Sequence, residues 1–141
     1  MTTVHEGIRA WAKGIYPLEA GAELLCRTQW GQRLENTGYL SWSDDDEYAW
    51  PRMGDFVKAN YGTLSGGERR QCLVISSFLG QDRTTDGDEA NGTHPWACSL
   101  YEDLPGVDES FIRLVGTAVF HAAGFHERGG YPLPWPEDDD E

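Results

Sequence analysis

The stretch from Ser65 to Gly80 constrains the fold more than any other part of the chain. Ser65 and Glu68 stand at the spacing of a reciprocal capping box, in which a hydroxyl and a carboxylate each satisfy a backbone N–H that the first helical turn leaves unpaired. Cys72, Leu73, Val74, Ile75, Phe78 and Leu79 then cover more than one helix face, and Gly80 suits a left-handed stop. A helix that is apolar on several sides must be enclosed. The spacing therefore predicts a central, largely buried helix through Leu79, with the rest of the chain packed around it.

The start of that segment, Leu64-Ser65-Gly66-Gly67-Glu68, resembles the signature of ABC-transporter ATPases. Nucleotide binding in that family also needs a Gly-rich loop ending in Gly-Lys-Ser/Thr, which cradles the phosphates and holds magnesium. The only lysines are Lys13 after Ala12 and Lys58 after Val57, so no Gly-Lys pair exists and the likeness is coincidental. An anion on the free N–H groups of Gly66 and Gly67 would also meet the Glu68 carboxylate, which repels it and competes for the same donors.

Other segments repeat the helical spacing. Thr3 and Glu6 form a second capping box before Val4, Ile8, Trp11 and Ala12, in a helix that ends near Gly14. Pro17 opens a helix from Leu18 to Thr28, with Leu18, Ala22, Leu25 and Cys26 on one face. Pro51 to Asn60 is a short helix turning Met53, Phe56 and Val57 inward, stopped by Tyr61-Gly62. Ser99 and Glu102 cap a short turn that ends at Pro105-Gly106. Asp108 starts the last helix, with Val107 and Ile112 placed as a hydrophobic staple. Phe111, Val115, Ala118, Val119 and Ala122 form its stripe, and Gly124 stops it.

Between these lie segments without periodicity. Gly31 to Trp50 reads as an exposed connection, and Gln81 to Pro95 as a polar loop. Residues 131–141, Tyr131-Pro132-Leu133-Pro134-Trp135-Pro136 followed by five acids, read as an extended Pro-rich acidic tail on a helical domain of residues 1–130. The expected fold is mainly α, a compact single-domain helical bundle with long acidic loops and an extended acidic tail. In it the Gly66–Leu79 and Glu109–Ala123 helices pack together, the Val4–Thr28 pair covers them, and any sheet is small.

A chain of 141 residues can bury about two thirds of its unfolded surface without metals or disulfides. With 39% apolar residues, including six Trp, six Tyr and five Phe, it has the material for one core. The net charge of −13, from 24 acidic and 11 basic residues, excludes a phosphate-backbone partner, because no basic stretch exists from which to release counterions. It suits docking on a basic protein surface. The N-terminus lacks a basic flank and a long apolar core, and no window reaches a membrane-spanning length. With three cysteines, an odd number, these features place the expected protein in the cytoplasm with reduced thiols, Cys26 and Cys72 in the core.

No catalytic or metal-binding set reaches its usual spacing. His94, Cys98, His121 and His126 lack a Cys-x-x-Cys or His-x-x-x-His pair, and a Cys98 nucleophile with a histidine base lacks a defined third group. The run Asp82 to Asp88 has calcium-loop oxygens at its first, third and fifth positions, but Thr93 stands where a bidentate Glu is needed. The expected cofactor and metal content is none. The strongest functional feature is Asp44-Asp45-Asp46-Glu47, flanked by Trp42, Tyr48 and Trp50, together with Trp135 beside the acidic tail. Charge here adjoins the aromatic anchors enriched at interfaces.

Three further groups of residues carry a resemblance: Gly14-Ile15-Tyr16-Pro17-Leu18-Glu19-Ala20 with Glu23-Leu24-Leu25; Leu64 to Arg69 with Ile75-Ser76-Ser77-Phe78-Leu79; and Gly106-Val107-Asp108 with Leu114-Val115, Ala118 and His121-Ala122-Ala123-Gly124. In these the chain resembles small uncharacterised proteins of actinobacteria and their phages. The resemblance implies a helical architecture and such a source, and supplies no catalytic residue. The expectation is a non-enzymatic acidic interaction protein that docks on a basic partner, as a phage or mobile-element inhibitor of a host nucleic-acid-binding protein. The alternative is a small Cys/His-dependent or zinc-dependent enzyme.

Overall fold

Two capping boxes form as the spacing requires. Thr3 Oγ1 accepts the Glu6 N–H at 3.1 Å while the Glu6 carboxylate accepts the Thr3 N–H at 2.9 Å, opening α1 (Val4–Ala12). Ser65 and Glu68 exchange the same pair of bonds at 3.2 and 2.9 Å, opening α5 (Gly66–Phe78). These contacts belong to a computed structural model that describes residues 2–81, 98–125 and 135–136. The expected polar loop, calcium-like run and His94 fall almost wholly outside the described residues, as do His126 and most of the tail.

The chain continues through α2 (Tyr16–Cys26), with Pro17 in its first turn, and α3 (Trp30–Thr37). Strands β1 (Leu40–Trp42) and β2 (Ala49–Pro51) pair antiparallel with Leu40 opposite Pro51, Ser41 opposite Trp50 and Trp42 opposite Ala49. Next come α4 (Met53–Asn60), a 3-10 turn at Tyr61–Thr63, and α5. After the undescribed residues follow the short α6 (Leu100–Asp103) and α7 (Glu109–Ala122), which Asp108 caps by accepting the Phe111 N–H at 2.8 Å. The fold is mainly helical, with the expected small sheet.

Three expectations are corrected. Gly31 to Trp50 is not an exposed connection. Trp30 and Leu34, one turn apart, are both fully buried and hold α3 against the core, and Gly38 ends it at φ +86°. The hairpin follows at once, with Ala49 and Pro51 turned inward.

The second correction concerns the centre. Helix α2, rather than the α5–α7 contact, is the axis of the fold: its main neighbours include α7, α1 and α5. Small residues permit this. A Cβ on Gly21 would fall 2.5 Å from a Leu79 methyl, and Ala20 and Ala22 beside it are buried, so α2 approaches close enough to bury both flanks. Helix α5 still reads as foreseen, with Cys72 to Ser76 enclosed.

In α7 the inward stripe is Phe111, Val115 and Ala118 with Thr117. Val119, expected on that stripe, lies instead on the outer side, 53% exposed, while Ile112, expected as the staple partner of Val107, is 37% exposed. In α6 the Ser99 N–H donates to the Asp103 carboxylate at 2.7 Å, and the side chain of Glu102, the expected cap partner, lies outside the described residues.

The core centres on the indole of Trp30, which meets Phe56 edge-on at 6.0 Å and donates its N–H to Gln71 Oε1 at 2.8 Å. Losing a buried ring of this size typically costs about 3–5 kcal/mol. Cys26 and Cys72 are buried as expected; burial pushes the Cys26 thiol up to about 12 and raises that of Cys72 further.

Candidate functional site

The acidic run Asp44–Glu47 forms the tip of the β1–β2 hairpin, and Ser43 organises it. The Ser43 N–H donates to the Tyr48 carbonyl at 2.9 Å, and its carbonyl accepts the Asp46 N–H at 2.9 Å. Its hydroxyl donates to Asp45 Oδ1 at 2.7 Å and accepts the N–H groups of Glu47 and Tyr48 at 3.2 and 3.0 Å. The Ser43 hydroxyl, and after it the Glu47 N–H, hold the exposed Asp45 carboxyl below the usual carboxylate range. Asp46 adopts φ +60°, a left-handed geometry that Asp tolerates better than most residues.

Strand alternation sorts the aromatic residues between two faces. Ala49 and Pro51 point inward, so Tyr48 and Trp50 point out, 47% and 39% exposed. Trp42 lies on the inner side. A Cβ on Gly7 of α1 would fall 2.7 Å from its ring, and its indole N–H donates to Glu35 Oε1 at 3.1 Å. A cleft of about 460 Å³ beside it is lined by Thr2, Trp42, Asp45 and Asp46. Arg52 braces the hairpin base by donating to Ser41 Oγ at 3.0 Å and to the Gly38 carbonyl, with its guanidinium 5.3 Å from the Tyr39 ring centre.

Of the residues expected to meet a partner, the structure thus gathers Asp44, Asp45, Asp46, Glu47, Tyr48 and Trp50 at one outward tip, with Trp42 seated beneath. Trp135 is elsewhere. It lies over α2 and α7 in a second cleft, of about 420 Å³, whose walls include Arg9, Lys13, Glu23 and Arg27. Among the described residues none lines both clefts.

In that second cleft the Trp135 indole N–H donates to His121 Nδ1 at 3.4 Å, and His121 Nε2 meets Glu19 Oε1 at 2.8 Å. An indole nitrogen only donates, so Nδ1 accepts and Nε2 carries the proton given to Glu19. Glu19 also accepts the Gly14 N–H at 2.8 Å, and Tyr16 meets the imidazole edge-on. Glu23 bridges Arg9 and Arg27, each at 2.8 Å. Burial pushes its carboxyl up, but the two guanidinium bonds outweigh this and hold it low.

A His–Glu pair is the form in which a carboxylate orients a general base. Here the acceptor nitrogen is occupied by the indole, and Cys98 is not among the residues lining the cleft. Among the described residues no group of three or more His, Cys, Asp or Glu side chains could hold a metal ion. At the Ser65 cap, the Ser65 N–H, followed by Arg33 at 2.9 Å, holds the Glu68 carboxyl low; the carboxylate occupies the place an anion would take.

The second cleft was not foreseen. Its residues come from α1, α2, α7 and the tail, and only Pro-flanked Trp135 beside a run of acids marked one part of it. Among the described residues no helix is long and apolar enough to cross a membrane. Compared with protein-family models, curated proteins and solved structures, the chain matches none of them.

Proposed function

We propose that the protein is a non-enzymatic interaction module whose hairpin tip docks on a basic protein surface. The observation that carries this reading is the exposure of Tyr48 and Trp50 beside four consecutive acids, on a turn already ordered by Ser43. An ordered tip has little conformational entropy left to lose on binding, and aromatic anchors ringed by charge are the usual makeup of an interface centre. A net charge of −13 steers a basic partner toward it. The partner class that fits is a nucleic-acid-binding protein of the host cytoplasm, its basic groove occupied by the acidic tip, with the inhibitor supplied by a phage or mobile element. The three free cysteines accord with a reducing compartment.

The test uses affinity capture on immobilised protein from actinobacterial extract, followed by kinetics with the captured partner. Replacing Asp44, Asp45, Asp46 and Glu47 by their amides should slow association about tenfold at low salt, and added salt should erase the difference. Trp50→Ala should instead speed dissociation. Capture that ignores both changes removes the tip from the interface.

The His121–Glu19 pair favours one second reading, a small Cys/His-dependent or zinc-dependent enzyme. Stoichiometric zinc in tag-free protein, or a Cys98 thiol alkylated faster than free cysteine, would support it over the docking module.

A further inference from the structure

Trp135 and Pro136 are held by the helical body through contacts of several kinds at once. The Arg27 guanidinium stands 5.1 Å from the Trp135 ring centre and also donates to the Pro136 carbonyl at 2.7 Å. The indole N–H finds His121 Nδ1, and the two rings lie 6.0 Å apart at 51°. Glu19 fixes the acceptor tautomer of His121, and Glu23 fixes Arg27. The aromatic face, the indole N–H and the following backbone carbonyl are thus each recognised, by side chains that α2 and α7 hold in place.

Charge favours the same segment. Among the described residues, the lining of this cleft carries three cations, Arg9, Lys13 and Arg27, against two carboxylates, on a chain whose net charge is −13. The residues after Pro136 in the sequence are Glu137-Asp138-Asp139-Asp140-Glu141. A locally basic cleft on an acidic protein attracts an acidic peptide that the rest of the surface repels.

We propose that the cleft between α1, α2 and α7 is a peptide-recognition site for a Trp-Pro segment followed by acidic residues, and that the protein fills it in cis with its own Trp135 and Pro136. Because a short tether gives a tail an effective concentration in the millimolar range, an added peptide of the same chemistry must outcompete it to enter. The site is independent of the hairpin tip and survives or fails without reference to it.

The probe is a fluorescein-labelled peptide carrying residues 133–141, titrated into the full chain and followed by anisotropy. The wild type should bind it weakly and Trp135→Ala at least about tenfold more tightly, since the cis competitor is gone. Adding Arg27→Ala to Trp135→Ala should return binding to background, as should replacing the peptide's own tryptophan by alanine. Equal binding by wild type and Trp135→Ala, no binding by either, or indifference to Arg27→Ala each overturns the proposal. Dimerisation of the wild type that Trp135→Ala abolishes would move the occupant to a second copy and overturn occupancy in cis. A readout independent of how well Trp135→Ala folds is the Trp135 indole N–H in the wild type. Its hydrogen exchange should be slowed relative to the free peptide and released by Arg27→Ala; exchange at the free-peptide rate overturns the proposal.

Discussion

Gln81 shows how much a single residue beyond a helix can do. Helix α4 has no side-chain N-cap of its own, because the Arg52 guanidinium, which stands 4.0 Å from the Asp55 carboxylate, has no acceptor to offer the first N–H groups. Gln81, just past the end of α5, supplies one: its Oε1 accepts the Met53 N–H at 2.8 Å and the Gly54 N–H at 3.4 Å, while its Nε2 donates to the Pro51 carbonyl at 2.9 Å. One amide thus joins the end of α5, the start of α4 and the end of β2. Gln81→Ala should cost about 1–2 kcal/mol, the usual range for a lost N-cap with a bond broken beside it. Gln81→Glu should recover part of this, because it keeps the acceptor and loses only the donor to Pro51. Urea unfolding of the three proteins measures both steps, and an alanine variant as stable as wild type would show that water replaces the amide at no cost.

At the scale of elements, what was legible followed the range over which the controlling contacts act. Helices α1, α5 and α7 are announced by caps three residues from their partners, and Gly80 and Gly124, at φ +71° and +88°, stop α5 and α7 as their positions suggest. Helix α3 has no side-chain cap and rests on Trp30 and Leu34, two residues whose burial depends on partners far along the chain. The strands are three residues each, too short for alternation to show, and their turn contains no glycine. The acids of the tip were legible as charge, whereas the sorting of Trp42 inward and Trp50 outward was not, since register decides it. Gly7 tests that seating. Alanine is the better helix former by about 1 kcal/mol, yet at this position its Cβ would meet the Trp42 ring at 2.7 Å and Ala49 at 3.0 Å. Overpacking of this kind costs about 1–3 kcal/mol, so Gly7→Ala should lower the thermal midpoint and shift the Trp42 indole resonance. A raised midpoint would mean that the hairpin yields freely.

For the molecule as a whole, two electrostatic effects oppose each other as pH falls. Protonating carboxylates relieves the self-repulsion of a chain with net charge −13, which favours the folded state. It also removes the bonds of carboxylates held low by the fold. Glu6, Asp45 and Glu68 are exposed or nearly so, and solvent screens what they add. Glu23, clamped between Arg9 and Arg27 and largely shielded, decides the outcome. Its folded pKa lies below 4.5, so its contribution is fully present above that pH and is lost as pH drops through the lower folded value. Stability should therefore hold from neutrality down to about pH 5 and decline below 4.5, with Glu23→Gln showing a flatter decline from a lower starting point. Thermal midpoints measured across pH 3–7 for the two proteins decide it; identical slopes would assign the acid limb to other groups.

The two buried thiols give this protein a clock of its own. Cys72 is fully enclosed in α5, and Cys26 sits at the end of α2, the helix on which most of the others lean. A thiol so enclosed, with its thiolate disfavoured by burial, reacts with an alkylating agent only when the packing around it opens. Labelling of Cys72 in the native protein therefore counts openings of the centre, and labelling of Cys26 counts the parting of α1 from α2, where its sulfur faces the His5 carbonyl. The ratio of the two rates distinguishes a molecule that comes apart all at once from one that loosens first at α1.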